Sequence, residues 1–406
     1  MPNPARSVPD RSNRGLDWLS FFVANVQTGF GPFIAAYLAS EDWTQGEIGT
    51  ALTIGTITTM VMQMPMGAIV DAMRDKRFLA LVAIAAIAAA ALILALLPER
   101  LPVSIAEILH GVASCILGPV IAVLSMAVAG VKGHALGERL GRNARFASIG
   151  SGCAAGLMGG VGYLVSERSV FFLAAVLVLP AIWALRLVPV STVHAFERPP
   201  PQKLTTLFRD RRLLLFALCC AGFQFANAAM FPIAAVQVTR HAGAVGQLVI
   251  AACLIVPQIL VAVLSPVVGR AAERWGRRPV LLLGFAAVPL RAALFAATDQ
   301  PTLVAVIQAL DGVSGAVFGV LLPLIVADIS HRSGRFNLSM GAIGLAIAGA
   351  AAASTEVAGI VADHAGARGA FAALTVAGLV ACLLVWLLLP ETRESDEPTT
   401  IPAVAE

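Results

Sequence analysis

The chain has 406 residues, of which 58% are hydrophobic and only 13% are charged, and its mean hydropathy is +0.84. A chain with so few charged side chains cannot cover the surface of a soluble globular protein of this size. The composition therefore excludes a soluble enzyme and predicts a membrane protein whose solvent is lipid.

Apolar runs separated by turn signals predict twelve transmembrane helices. In chain order they cover residues 16–38, 47–70, 78–97, 102–130, 146–165, 169–187, 213–238, 245–268, 279–297, 302–327, 338–361 and 369–390. The clearest is 78–97, which is apolar throughout. At about 1.5 Å per residue it crosses the roughly 30 Å hydrocarbon core.

A polar segment at 188–212 separates six spans from six. It contains three consecutive prolines, Pro199 to Pro201, which cannot continue a helix. We therefore predict five regions. They are a tail at 1–15, a six-helix bundle at 16–187, a linker at 188–212, a second six-helix bundle at 213–390 and a tail at 391–406.

Basic residues lie almost entirely on one side of the predicted membrane. Of the 28 Lys and Arg residues, 23 fall in the two tails, in the linker together with the adjacent Arg186, and in the loops on the same side. The positive-inside rule then places both termini and the linker in the cytoplasm of a bacterial-type inner membrane. The net charge of +4 follows from this topology, so nucleic acid is not expected as a partner.

No metal, cofactor or enzymatic reaction is expected. The six cysteines all lie in apolar segments without metal-ligand spacing. The sequence has no phosphate-binding loop of the Gly-x-x-x-x-Gly-Lys-Ser/Thr type, and neither His-Glu-x-x-His nor Gly-x-Ser-x-Gly occurs.

The two halves repeat each other at a shift of about 200 residues, which is typical of transporter folds. Four polar features recur in the same order. They pair Ala24-Asn25 with Ala226-Asn227, Pro65-Met66-Gly67 with Pro266 to Gly269, Glu107-x-x-His110-Gly111 with Gln308-x-x-Asp311-Gly312, and Gly141-Arg142-Asn143 with Gly334-Arg335-Phe336-Asn337. The sequence therefore predicts a duplicated six-helix unit.

The loop Gly269-Arg-Ala-Ala-Glu273-Arg274-Trp-Gly276-Arg277-Arg278 resembles the major facilitator signature Gly-x-x-x-Asp-Arg-x-Gly-Arg-Arg. The first-half copy keeps Gly67, Asp71 and the basic pair Lys76-Arg77, but departs at Ala72 and Arg74. The chain thus resembles the major facilitator superfamily over essentially its whole length. This resemblance implies an all-α membrane fold of two pseudo-symmetric bundles.

In that family the two loops form a cytoplasmic gate between alternating conformations. The predicted gate residues are Gly67, Asp71, Lys76, Arg77, Gly269, Glu273, Arg274, Gly276, Arg277 and Arg278. For the basic pairs, a purely topogenic role is an equal alternative.

Ionisable groups inside the spans are candidates for transport chemistry, because a charge in hydrocarbon is costly. We predict that Asp311 and Glu107 carry protons and that His110 joins the relay. The alternative is that they only hydrogen-bond helices together. Arg291 either balances Asp311 from behind or snorkels, and the role of Glu356 stays open.

The resemblance also implies that the first, fourth, seventh and tenth helices line a central cavity. The predicted cavity residues are Asn25, Gln27, Gln224, Asn227 and Gln308. A structural role in helix packing is the alternative for these amides.

Together these features predict a monomeric transporter that exports a small organic molecule in exchange for protons. The glycine-rich run from Gly150 to Gly162 resembles part of an antiporter signature, without its proline. Export is favoured only slightly over uptake of a sugar, an organic acid or a metal chelate by symport. A non-transporting receptor or a lipid scramblase on the same scaffold is a third possibility.

Overall fold

The computed structural model describes residues 10–28, 30, 32–129, 134–188, 210–241, 246–331 and 334–392, and all regular structure in these ranges is α-helical. The helices are α1 (Asp10–Thr28), α2 (Pro32–Ser40), α3 (Gln45–Ala72), α4 (Lys76–Leu96), α5 (Arg100–Ala129), α6 (His134–Leu164), α7 (Glu167–Arg186), α8 (Arg211–Asn227), α9 (Met230–His241), α10 (Gly246–Trp275), α11 (Arg277–Ala297), α12 (Pro301–Ile307), α13 (Ala309–Ser330) and α14 (Phe336–Leu388).

These helices form twelve membrane crossings, as the sequence predicts. The pairs α1 with α2, α8 with α9, and α12 with α13 make the first, seventh and tenth spans. Helix α14 supplies the last two, because Gly366 has a φ of 72° and interrupts the helix between them. Within the described ranges, nine helices are long and apolar enough to cross a membrane by length and composition, with α14 counted once.

Some helices begin earlier than the hydropathy predicts. Helix α1 starts at Asp10, inside the segment expected to be a tail, and Ser12 and Leu16 on it are fully buried. Helix α6 starts at His134 because its basic first turns remain helical beyond the apolar run. Most of the predicted linker and of the C-terminal tail lies outside the described residues.

Each half has its own hydrophobic core. One buried cluster is drawn from residues 16–188, and the other is drawn mainly from 213–389. A few side chains of α5 and α6, such as Met126 and Leu140, belong to the second cluster and join the halves. The packing therefore follows the sequence repeat.

Three spans depart locally from regular α-helix in their membrane-spanning part. The first has a turn at Phe30, between α1 and α2. The seventh and tenth deviate only slightly, because Ala228 and Gln308 keep helical φ and ψ and donate to the carbonyl oxygens four residues earlier. Irregular helical segments are where many transporters place substrate and ion sites.

The halves pack tightly at the end of the bundle that carries the α3–α4 and α10–α11 loops, which we call the basic end. A side chain at any of four glycines here would collide with backbone of the other half. A Cβ on Gly67 would lie 2.3 Å from the Asn337 carbonyl oxygen, and one on Gly269 would lie 2.2 Å from that of Gly137. Glycine permits this close approach of helices. The other two are Gly141 against Ser265 and Gly341 against Gln63.

Towards the opposite end, which we call the far end, the same helices separate. A Cβ on Gly152 or Gly159 of α6, or on Gly349 or Gly359 of α14, would meet no described atom within 4 Å. The ion pairs described at this end each join residues of one half. They are Arg100 with Glu47, Arg168 with Glu41, and Arg368 with Asp299. The structure is thus closed at the basic end and open towards the far end.

Candidate functional site

A buried arginine organises the polar cluster of the second half. Arg291 on α11 is 1% exposed, and its guanidinium forms an ion pair with Asp311 on α13. It also donates to the side-chain oxygen of Asn227, the last residue of α8, and to the Met230 sulfur at 3.3 Å. The seventh, ninth and tenth spans are therefore joined by one cation.

The two charges of this ion pair differ in their exposure. The Asp311 side chain is 32% exposed, whereas that of Arg291 is 2% exposed. The Gln308 amide nitrogen lies 3.5 Å from the second Asp311 oxygen, and the Gln308 side-chain oxygen has no partner. The carboxylate thus stands between the buried cation and the more open interior. Of the two roles left open for Arg291, the structure shows the balance of Asp311.

Glu107 has no such cation among the residues that the structure describes. It lies on α5, is 4% exposed, and one of its carboxyl oxygens has no hydrogen-bond partner in the described structure. The other oxygen lies over Gly55 of α3, where a Cβ would be 2.1 Å away. The absent side chain at Gly55 therefore makes the space that the carboxyl group occupies.

His110 lies one turn further along α5 and contacts a different element. Its ring stacks on Phe30, with centroids 4.1 Å apart and planes 7° apart. Its Nε2 atom is 3.3 Å from the Ser114 hydroxyl. Because Phe30 lies at the break between α1 and α2, His110 couples the fourth span to the broken part of the first.

The predicted cavity amides have different surroundings. Asn25 is 1% exposed and donates to the Gly150 carbonyl oxygen at 3.1 Å, so it ties α1 to α6. Gln308 is also buried, whereas Gln27, Gln224 and Asn227 are half-buried. A substrate-binding role for these five residues stays a prediction.

The acidic residues of the two loops each reach across to the other half. Asp71 accepts hydrogen bonds from the backbone N–H and side-chain amide of Asn337, at 3.1 and 2.6 Å, and from the Leu338 N–H at 2.8 Å. Glu273 accepts from the Gly137 N–H at 3.2 Å. Each acid binds the first turns of a helix, where N–H groups lack intrahelical partners and a negative charge is favourable.

The first residue of each terminal basic pair, Lys76 or Arg277, makes its described contacts within its own half. Lys76 donates to carbonyl oxygens at the end of α3, including that of Met73 at 2.6 Å. Arg277 donates to the Ala272 carbonyl oxygen at 2.9 Å and pairs with Glu273 at 3.0 Å and Asp328 at 3.2 Å. Each of these cations donates hydrogen bonds to carbonyl oxygens at the C-terminal end of a helix and lies beside the acid of its own loop.

The remaining predicted gate residues lie in or beside the same two loops. Gly276 has a φ of 98°, which only glycine adopts easily, and it immediately precedes the first residue of α11. The backbone N–H groups of Arg277 and Arg278 donate to Glu391 at 2.8 and 3.1 Å. Arg274 is exposed, and Arg77 lines a groove between α4 and α7.

One buried charge cluster was missed by the sequence reasoning. Asp17 on α1 is 3% exposed and pairs with both Arg139 and Arg142 of α6. Arg139 also donates to Asn143, which in turn donates to the Ser125 hydroxyl at 2.6 Å. The available signal was an acid at the start of an apolar helix, combined with the repeated Gly141-Arg142-Asn143 segment.

Two pseudo-symmetric helical bundles, polar groups inside the spans and a glycine-lined contact at one end define a multi-pass membrane transporter. The chain belongs to the Major Facilitator Superfamily, whose sequence profile matches residues 16–261 and 227–403. Members of this family are transporters and typically not enzymes, so a small-molecule substrate is implied.

Similar proteins agree with this assignment. Uncharacterized MFS-type transporters of two Mycobacterium tuberculosis strains are 34% identical over 402 residues, which is 96% of this chain and 96% of theirs. The human organic anion transporter MFSD10 (TETRAN) has a TM-score of 0.73 at 13% identity, covering 93% of this chain and all of that structure. A mutant of the nucleoside transporter NupG has a TM-score of 0.64 at 15% identity, with coverage of 92% and 98%. At these identities the solved structures show the fold alone.

Proposed function

We propose that this transporter exchanges protons for a small organic molecule by alternating access, and that it exports the molecule. The observation that carries the proposal is Glu107, a carboxyl group buried in a span with one oxygen unpartnered. Burying an unpaired charge is costly, so such a group is retained in a membrane protein chiefly for function.

The charge environment supports a division between the predicted proton carriers. Asp311 has Arg291 as its counter-charge, whereas Glu107 has no cationic partner among the described residues. Uptake of a proton by Glu107 therefore neutralises a carboxylate that has no described counter-charge. Protonation of Asp311 instead leaves the buried Arg291 cation without its counter-charge. The Gln308 and Asn227 amides lie beside this pair and can form new hydrogen bonds with it. His110, stacked on the broken first span, would relay protons beside Glu107.

Alternating access is supported by the difference between the two ends. The basic end is closed by two carboxylates that bind helix starts across the halves, while the far end is open. Hydrogen bonds to charged groups are worth about 1.5–3 kcal/mol each, a size that binding of substrate or proton can offset. The positive-inside count supports placing the basic end and both termini in the cytoplasm.

Export of an organic molecule is supported by the glycine-rich run on α6 and by the small number of charges in the interior. The two structurally similar proteins are an organic anion transporter and a nucleoside transporter, and both of these substrate classes are small organic molecules. We propose that the protein works as a monomer, since each half completes its core within the same chain.

The test is proton movement in proteoliposomes challenged with a panel of organic anions, nucleosides and hydrophobic amines. Glu107→Gln is compared with Glu99→Gln, a matched change at an exposed residue eight positions earlier in the chain. We expect substrate-evoked proton flux in the parent and in Glu99→Gln, and its loss in Glu107→Gln with substrate binding retained.

Unchanged proton flux in Glu107→Gln would contradict the assignment. Asp311→Asn is measured in parallel, and it should reduce the flux if both carboxyl groups are on the proton path. The direction in which an imposed proton gradient drives the substrate separates export from uptake by symport.

A further inference from the structure

A groove on the first half lies away from the polar cluster. It is formed by the start of α4 and the end of α7 at the basic end, and its volume is about 340 Å³. Its walls are apolar and its mouth is charged. The lining residues are Asp75, Arg77, Phe78, Leu81, Ile182, Leu185 and Arg186. Phe78 is 55% exposed and Leu81 is 38% exposed, so the groove faces the surroundings of the bundle.

The two arginines at the groove are available for a ligand. No hydrogen bond or ion pair is described for the guanidinium of Arg77 or of Arg186 within the described part of the chain. The only acid in the lining is already engaged, because Asp75 accepts from the Phe78 N–H at 2.9 Å and caps α4. The groove thus has two cationic side chains and one acidic side chain, and the carboxylate of the acid already caps the N-terminus of α4.

The corresponding place in the second half is filled by the protein itself. There Glu391, just beyond α14, accepts from the N–H groups of Arg277 and Arg278. The Arg278 guanidinium donates to the Trp386 carbonyl oxygen near the end of α14. Arg77 is the repeat counterpart of Arg278, yet no described residue of its half accepts a hydrogen bond from its guanidinium. Within the described residues, the groove therefore presents two basic side chains that a ligand's oxygen atoms could pair with.

We propose that this groove binds an anionic phospholipid. The phosphate lies between Arg77 and Arg186, and the acyl chains run along Phe78, Leu81, Ile182 and Leu185. Basic pockets between transmembrane helices at the membrane surface bind such headgroups, and guanidinium matches phosphate oxygens in geometry as well as charge. A lipid fits the groove better than a soluble anion because its acyl chains also cover the exposed apolar walls. A lipid held there would brace the third span against the sixth.

The test uses the purified full-length chain and native mass spectrometry with phosphatidylglycerol or phosphatidylcholine of identical acyl chains. The variant is Arg77→Gln with Arg186→Gln, and the control is Arg145→Gln with Arg211→Gln, which removes two exposed arginines elsewhere. We expect the parent and the control to prefer phosphatidylglycerol. The groove variant should bind it about tenfold or more weakly, because each arginine near an anionic headgroup contributes roughly one decade or slightly less.

Three outcomes would overturn the proposal. The first is an unchanged preference for phosphatidylglycerol in the groove variant. The second is protection of the parent against thermal unfolding by inorganic phosphate as strong as that by phosphatidylglycerol, which would identify a soluble anion as the ligand. The third comes from a photoactivatable phosphatidylglycerol. Its adducts should map to residues 76–81 and 182–186, and adducts confined to other segments would show that another part of the chain covers the groove.

Discussion

The carboxylate of Asp71 in one half binds Asn337 at the start of a helix in the other half, through both the backbone N–H and the side-chain amide. The repeat reproduces this relationship with Glu273 and the Gly137 N–H. Each half therefore holds the first turns of a helix of its partner. Because both contacts lie at the basic end, breaking them is a condition for opening that end.

Replacing Asp71 by Ala should shift the protein away from the closed basic end. The change removes three hydrogen bonds that cross between halves, and a single charged hydrogen bond is worth about 1.5–3 kcal/mol. We expect the population closed at the basic end to fall by about tenfold or more relative to the open one, as measured by spin-label distances between α3 and α14. Asp75→Ala is the control, because Asp75 caps a helix of its own half.

A side chain at Gly141 should prevent the basic end from closing. A Cβ there would lie 2.5 Å from the Ser265 carbonyl oxygen and 3.0 Å from the Pro266 Cα atom, so α6 and α10 must separate. Gly152→Val makes the same change on the same helix where no described atom lies within 4 Å. We expect Gly141→Val to abolish transport while Gly152→Val retains it. Equal activity in the two variants would show that this contact does not form during the cycle.

The position of Asp71 and Glu273 at the basic end was predictable because the loop signature recurs at a fixed shift, and local spacing determines which end of the bundle they occupy. Their role as a gate stays a prediction. The pairing of Arg291 was accessible only in part. Counting residues places Arg291 about 9 Å and Asp311 about 15 Å below the far end, a difference that a long arginine side chain spans. The sequence does not give the rotation of α11 about its axis. That rotation turns Arg291 towards α13 instead of lipid.

The surroundings of Asn25 illustrate the same limit. The repeat pairs it with Asn227, yet Asn25 is buried against α6 and Asn227 accepts from Arg291. Each residue advances a helix by about 100°, so a small difference in rotation between the halves changes which neighbour an amide meets. Symmetry in sequence thus predicts depth in the membrane better than it predicts contacts.

Asn25→Ala should affect stability more than substrate binding. The change removes the hydrogen bond to the Gly150 carbonyl oxygen and loosens α1 from α6, at a cost of about 1 kcal/mol. Gln27→Ala, on the same helix and half-buried, should leave stability within about 0.5 kcal/mol. Thermal unfolding in detergent measures the first effect, and substrate affinity measures the second. A weakened affinity in Asn25→Ala at unchanged stability would instead place Asn25 in the cavity.

Removing Arg291 alone should be far more damaging than removing it together with Asp311. Arg291→Met leaves the Asp311 carboxylate, and Asn227 with it, without the cation that organises the second half. Breaking a buried pair in this way costs about 3–5 kcal/mol, whereas replacing both charges by apolar groups is often nearly neutral. The double variant Arg291→Met with Asp311→Leu should therefore recover most of the lost stability.

This comparison separates the structural and the functional part of the pair. If the double variant regains its thermal stability but not its transport, then the charges themselves take part in the transport cycle. If it regains both, the pair serves only to join the helices, and Asp311 is not on the proton path. The cycle is completed by Asp311→Leu alone. If the stability loss in the double variant equals the sum of the losses in the two single variants, the charges do not interact in the membrane, since residues in direct contact must show a coupling energy in a double-mutant cycle.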